Sequence, residues 1–192
     1  MRAFTRFGEL VYWLFAVVVL TGLVHGALVL LMPSVGDRDA FSVLSQLAPV
    51  GATETLPRAA PGSRRFPYVD PAVAAAFCRY DLSVGPVRVR APSGRAGFFS
   101  ISLHSRRGSV FFALTDRAAT RGKLEAVIAT PAQLKALLAA DDEDNPSQDL
   151  RVVSPTSEGF VVVRAFSELP SLYPAASDET QAMTCVTEPL PR

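Results

Sequence analysis

Cysteine is nearly absent from this chain, with Cys78 and Cys185 the two examples in 192 residues. Paired C-x-x-C spacings are lacking, which excludes the usual thiolate metal sites. Histidine is as sparse, at positions 25 and 104. No glycine-rich phosphate loop occurs, so no nucleotide or other cofactor is expected. A surplus of charge is also missing: 19 basic residues face 18 acidic ones, and without Arg2, Arg6 and Glu9 the part from Asp37 onward keeps 17 of each. A neutral domain lacks the basic surface that sequence-independent nucleic-acid binding needs, so no nucleic-acid partner is expected.

What the chain does have is one long apolar run. Leu10 to Met32 is 23 residues without a charge. At helical rise it spans about 34 Å, enough for a bilayer core of about 30 Å. Tyr12 and Trp13 stand near its start, where interfacial aromatics belong. Pro33 is expected to close the helix. The run exceeds the roughly 7–15 residues of a signal-peptide core and no small-x-small cleavage site follows, so it reads as an uncleaved signal anchor. Arg2 and Arg6 precede it, whereas Arg38 follows beside Asp37 and Asp39. This asymmetry puts the N-terminus in the cytoplasm and the domain outside.

Within the run, Gly22 and Gly26 are one helical turn apart, flanked by Thr21 and His25. Small residues let a second helix approach, and polar ones hydrogen-bond across the contact. Gly22, His25 and Gly26 are therefore a candidate docking face for a partner helix or a second copy. The alternative is chance, since glycine is common in membrane helices. A proton relay or haem ligand at His25 needs further polar groups in the span, and Thr21 alone is present.

Beyond the anchor, Phe41, Leu44 and Leu47 at helical spacing predict a short helix over 37–47. Residues 50–67 read as an irregular linker. Asp70 as N-cap and Pro71 at the first helical position predict a helix over 70–80. Then the pattern turns to β. The segments "VRVRA", "FFSISLHS", "SVFFALT" and "KLEAVIAT" read as strands, the middle two as a hairpin turning at "RRG". Thr130-Pro131 opens a helix, "DDEDNPSQD" is a loop, and "LRVVS" and "GFVVVRAF" complete the strands. From Ser167 the chain is rich in proline, serine and glutamate and reads as irregular. The expected class is α+β, with a mainly antiparallel sheet. If the domain is exported, Cys78 and Cys185 meet an oxidising compartment and can pair as a disulfide; two separate buried thiols are the alternative.

Taken together, "GLVHGALVLL", "FCRYDLSVGPVRVRA", "FFSISLHSRRGSVFFALTDRAA", "AVIATPAQL" and "EGFVVVRAF" resemble the short membrane-anchored proteins of the DUF1254 family found in alphaproteobacteria. The resemblance covers residues 10 to 166, without the linker at 50–67. It implies a single-pass bacterial inner-membrane protein with a periplasmic β-rich domain, and a neighbouring membrane protein of the DUF1214 type as partner. It brings no reaction and no catalytic residues. The organisation expected is residues 1–9 cytoplasmic, 10–32 transmembrane, 33–67 a juxtamembrane helix and linker, 68–166 the domain and 167–192 a proline-rich tail.

Local chemistry is thin. Ser102 and His104 share a strand face, but with Cβ atoms about 6–7 Å apart they read as the solvated side of a half-buried strand, and no G-x-S-x-G elbow surrounds them. Arg88 and Arg90 share a face, and Arg106, Arg107, Arg117 and Arg121 follow; guanidinium forks suit anions, and pairing with the equally numerous acids suits them as well. Tyr80-Asp81 and Thr115-Asp116-Arg117 lie at expected strand ends, where polar residues fix turns; a place in a pocket is the alternative. The acidic run from Asp141 to Asp144 lacks the calcium-loop pattern. Two functions compete. One is a non-enzymatic structural or accessory subunit of an envelope complex. The other is a tethered module that binds or acts on a small anionic or lipid ligand through Tyr80, Arg88, Arg90, His104 and Arg106.

Overall fold

The computed structural model describes residues 2–35, 39–60, 62, 69–92, 97–119, 122–141 and 147–191. Asp37, Arg38, Arg121 and Asp142 to Asp144 lie outside the described residues. The chain forms two units, residues 1–38 and 39–192.

The first unit is one helix, α1 (Arg2–Val35). Its stretch Arg6–Met32 has a mean hydropathy of 2.5 and is long and apolar enough to cross a membrane. The large apolar side chains along it are exposed, from Phe7 to Met32, which in water would be untenable for so many neighbours. Pro33 does not close the helix; the backbone continues helical to Val35, because a proline in the final turn costs one hydrogen bond where the ladder is ending anyway.

The second unit is α+β. A short helix α2 (Ala40–Ser45) starts at Asp39, whose carboxylate accepts from the Ser42 amide at 2.7 Å. Strands β1 (Thr53–Thr55) and β2 (Val73–Asp81) follow, then β3 (Val87–Pro92), β4 (Phe99–Ser105), β5 (Val110–Thr115) and β6 (Lys123–Ala129). Helix α3 (Pro131–Ala139) leads to β7 (Arg151–Val153) and β8 (Glu158–Phe166), and α4 (Tyr173–Gln181) to β9 (Thr184–Thr187). One sheet has the order β1-β2-β8-β4-β5, all antiparallel; the other runs β7-β6-β3-β9, with β6 and β7 parallel. That parallel pair is joined through α3, which Thr130 and Gln133 start as a reciprocal capping box,.

The two sheets share one core. Ala74, Cys78, Tyr80, Phe99, Ile101, Leu103, Val161 and Val163 from the first meet Val87, Val89, Leu124, Ile128 and Cys185 from the second. Cys78 and Cys185 are disulfide-bonded, with Cα atoms 6.5 Å apart, so the bond ties β2 to β9 across the core. A second cluster covers the opposite, outer face of the first sheet, where Phe41, Leu44 and Ala48 pack on Phe77, Phe160 and Val162. That sheet is consequently buried on both sides over its central strands.

Three expectations change here. Residues 70–80 form no helix. Asp70 does accept a hydrogen bond as a cap would, from the Ala72 amide at 2.8 Å, but it closes a turn that feeds β2. The alanine run favours a helix alone; pairing with β1 and β8 on either side overrides that preference,. Small side chains there have a use, since Ala74 and Ala76 sit in the core with Ala176 of α4, which packs against β2 and β8. The chain from Ser167 is not irregular: it supplies α4 and β9, the latter holding Cys185 against β3. The linker contributes the short edge strand β1.

Candidate functional site

On the outer face of the five-stranded sheet, β8 and β4 place Arg164, Ser102 and His104 side by side. Strand alternation puts them there: Val161, Val163 and Ala165 point to the core, so Phe160, Val162 and Arg164 point outward. Across the ladder, Ser102 faces Val162, His104 faces Phe160 and Ser100 faces Arg164.

Ser102 and His104 are buried, at 8% and 9% exposed. This corrects the expectation of a solvated face: the Phe160 ring, itself packed under α2, stacks on His104 and shields what a lone sheet would leave in water. Their separation is also bridged. The Ser102 hydroxyl lies 2.9 Å from His104 Nε2, and His104 Nδ1 lies 3.1 Å from the Gly108 carbonyl oxygen. A carbonyl only accepts, so Nδ1 carries the proton and donates to Gly108; Nε2 of the neutral ring accepts from Ser102. The imidazole stacks on Phe160 at 4.6 Å between centroids. Burial first, and the positive charge of Arg164 in addition, lower the His104 pKa, against the opposing pull of Gly108. Arg164 Nη1 donates to Ser102 Oγ at 3.1 Å. The result is a polarised chain, guanidinium to hydroxyl to imidazole to carbonyl. It contains a hydroxyl aligned on a neutral base, the pairing that nucleophile activation uses, but the hydroxyl is buried and already accepts from a cation.

The five residues expected to line one ligand site are not brought together. Tyr80 lies in the core, 1% exposed, its hydroxyl donating to the His104 carbonyl at 3.0 Å and 3.0 Å from Ser154 Oγ; burial raises its pKa. Arg88 and Arg90 stand on the other sheet. Arg88 meets Glu125, Asp149 and Glu188 together, and Arg90 meets Glu125. Hydrogen bonds that Arg88 donates to Asp149 and then to Glu188 raise its pKa further, and the Arg88 guanidinium in turn lowers that of Asp149. Three carboxylates leave Arg88 no free fork for an external anion. Glu125 and Asp149 also line a cleft of about 480 Å³ with Leu114, Lys123 and Leu124. Arg106 pairs with Asp39, the N-cap of α2, at 2.7 Å and lies over the Phe41 ring at 4.0 Å. Among the described residues no cluster of three His, Cys, Asp or Glu could hold a metal ion.

In the helical unit, Gly22 and Gly26 have open space where a Cβ would stand, and Thr21 and His25 line a shallow groove with Leu20, Val24 and Leu28.

Sequence reasoning missed Arg164, Phe160 and the Gly108 carbonyl. A signal for Arg164 was present: in "GFVVVRAF" it is the one charge, and its phase sets it opposite the core residues.

Residues 52–187 match the family described as "Protein of unknown function (DUF1254)". No curated protein sequence matches the chain. Among solved structures, the VPA0106 protein of Vibrio parahaemolyticus superposes with a TM-score of 0.54 at 11% identity, over 79% of this chain and 35% of that one. This chain thus spans about a third of that relative's length, and the likeness is one of fold. A putative uncharacterised protein from Burkholderia cenocepacia aligns over 64% of this chain and 31% of its own, at 15% identity and a TM-score of 0.40. The matched residues begin within the stretch read as a linker and run through β9, wider than the 68–166 expected for the domain.

Proposed function

Since this chain belongs to the DUF1254 family, we propose that it is a single-pass protein of the bacterial inner membrane, with a cytoplasmic N-terminus and a periplasmic DUF1254 domain, serving as a structural or accessory subunit of an envelope complex. The observation that carries this reading is α1, whose apolar surface is exposed along its length from Arg6 to Met32. Arg2 and Arg6 at its start support the orientation. The open surface at Gly22 and Gly26, with His25 beside it, supports helix docking,. The partner is a second membrane protein, of the DUF1214 type that the family resemblance implies, or a second copy.

The test is the mass of the detergent-extracted full-length protein from its native membrane, for wild type and Gly26→Leu. The proposal expects a stoichiometric membrane partner or a second copy, and an association weakened about tenfold or more by the leucine, which holds the helices apart. A wild-type monomer overturns the subunit reading; equal association of wild type and variant overturns the role of the glycine face.

A further inference from the structure

We propose that Arg164, on the outer face of the five-stranded sheet, is the centre of a seat for a small oxyanion, a phosphate or a carboxylate. This goes beyond the subunit reading and does not depend on it.

Three observations carry the inference. The first is the partner that Arg164 has: Arg58, Arg107 and Arg117 also hold no acid in an ion pair, but among the described arginines without one Arg164 is the one whose guanidinium is hydrogen-bonded to a buried side chain, Ser102. Arg88, Arg90, Arg106 and Arg151 each hold a carboxylate within an ion pair. Arg79, which has no carboxylate in those pairs, sends Nη1 to the Ala48 carbonyl and lies over the Phe41 ring under α2. Arg164 has no carboxylate partner among the described residues; its one hydrogen bond there is to a hydroxyl. Partial burial lowers its pKa, although the residue keeps a good part of its surface in water, so its donors are both held and reachable.

The second is the floor around it. Arg164 faces Ala75 on one side and Ser100 on the other, Ser100 faces Thr115, and Ser102 faces Ala113. These cross-strand neighbours are small and Ser100, Ser102 and Thr115 carry hydroxyls, while along β8 Val162 and Phe166 flank Arg164 on the same face. The remaining guanidinium donors therefore stand on an open sheet face, and strand register places Ser100 and Thr115 on that face, where they can add neutral donors to a bound oxyanion,. Arg164 is itself exposed, so a ligand reaches it without any rearrangement.

The third is preorganisation. Nη1 is fixed by Ser102, Ser102 by His104, and His104 by Gly108 and the Phe160 ring. A fork held in place before binding loses less side-chain entropy on binding. The buried Ser102–His104 pair thereby holds the arginine that takes the ligand. Ser102 and His104 are positioning residues in this account.

The shared chemistry has two sources, a free anion or the phosphate of an anionic lipid headgroup. The experiment uses full-length protein in nanodiscs of phosphatidylcholine alone and of equal parts phosphatidylcholine and phosphatidylglycerol. Inorganic phosphate is titrated at constant ionic strength against chloride, with the thermal midpoint of the domain as readout. In phosphatidylcholine, the wild type is expected to be stabilised saturably, Arg164→Gln to bind at least tenfold more weakly, Arg164→Lys to fall between, and Arg107→Gln to match the wild type. If Arg164→Gln does not fold, Ser100→Ala with Thr115→Val removes the flanking hydroxyls and must weaken binding. Phosphatidylglycerol weakening the apparent phosphate affinity of the wild type but not of Arg164→Gln identifies the headgroup as occupant; equal affinity in both membranes identifies the free anion. No saturable response of the wild type in either membrane, or the same response from Arg164→Gln, overturns the proposal.

Discussion

Gly159→Ala offers a sharp test of how the sheets are packed. Gly159 sits on β8 between Tyr80 of β2 and Ser105 of β4. The Tyr80 ring crosses above it so that its hydroxyl reaches the His104 carbonyl and Ser154. A methyl at position 159 would collide with the Tyr80 hydroxyl and with the His104 carbonyl oxygen. Neither gives way cheaply: the carbonyl belongs to the ladder, and Tyr80 is fully buried. Overpacking costs about 1–3 kcal/mol, and displacing the hydroxyl from its buried partners costs about 1–3 kcal/mol more. Alanine returns about 0.5–1 kcal/mol through the lower backbone entropy of the unfolded chain. The net loss is about 1–5 kcal/mol, a fall in Tm of roughly 2–20 °C for a domain of this size. The assay is near-ultraviolet circular dichroism of the full-length protein in detergent during heating. Tyr80→Phe removes the colliding oxygen, so in Gly159→Ala/Tyr80→Phe the two losses should sum to less than their separate values, by about 1 kcal/mol or more. A Gly159→Ala protein within about 0.5 kcal/mol of wild type, or strict additivity with Tyr80→Phe, would refute this packing.

Two further outcomes follow from the charged groups. The His104 pKa is lowered below its ordinary 6.5 by burial and by Arg164, so the folded state binds fewer protons than the unfolded one just below that pH; stability is fully present above about pH 6.5 and declines as pH falls through the window beneath it. Denaturant titrations from pH 8 to 5 should show this slope, and His104→Asn should flatten it. Arg88→Gln leaves Glu125, Asp149 and Glu188 gathered without their cation; the expected loss is about 1–3 kcal/mol at neutral pH, moderated because the acids are partly in water. The Asp149 pKa, which Arg88 holds below 3.8, should rise on carboxyl carbon NMR, and the stability that wild type loses as pH falls below the ordinary carboxylate range should be smaller in the variant; an unmoved Asp149 resonance contradicts the network.

Much of the fold was legible because it rests on local periodicity. The alternation in "FFSISLHS" and "GFVVVRAF" and the cap at Thr130 with Pro131 each set an element that the structure contains. The failures lie where long-range pairing decides. Ala74 to Ala76 carry a helical preference that strand neighbours overrule, and Thr184 to Thr187 form a strand only because β3 is there to receive them. The site was less legible. Ser102 and His104 stand out in sequence, but the Phe160 ring over His104 comes from β8, far away along the chain, and the ring is oriented by the turn that brings Gly108 back to it. Arg88 and Arg90 looked alike and open; the three carboxylates around Arg88 come from β6, the loop before β7 and the C-terminal end, which no local pattern brings together.

The thiol state of Cys78 and Cys185 in growing cells tests the central claim of an anchored, exported domain most directly. Cells are quenched in acid, denatured and treated with a polyethylene-glycol maleimide, with and without prior reduction. An exported domain closed by the bond between β2 and β9 gives no mass shift before reduction and two additions after it. Two additions without reduction would place the cysteines in a reducing compartment and contradict the account.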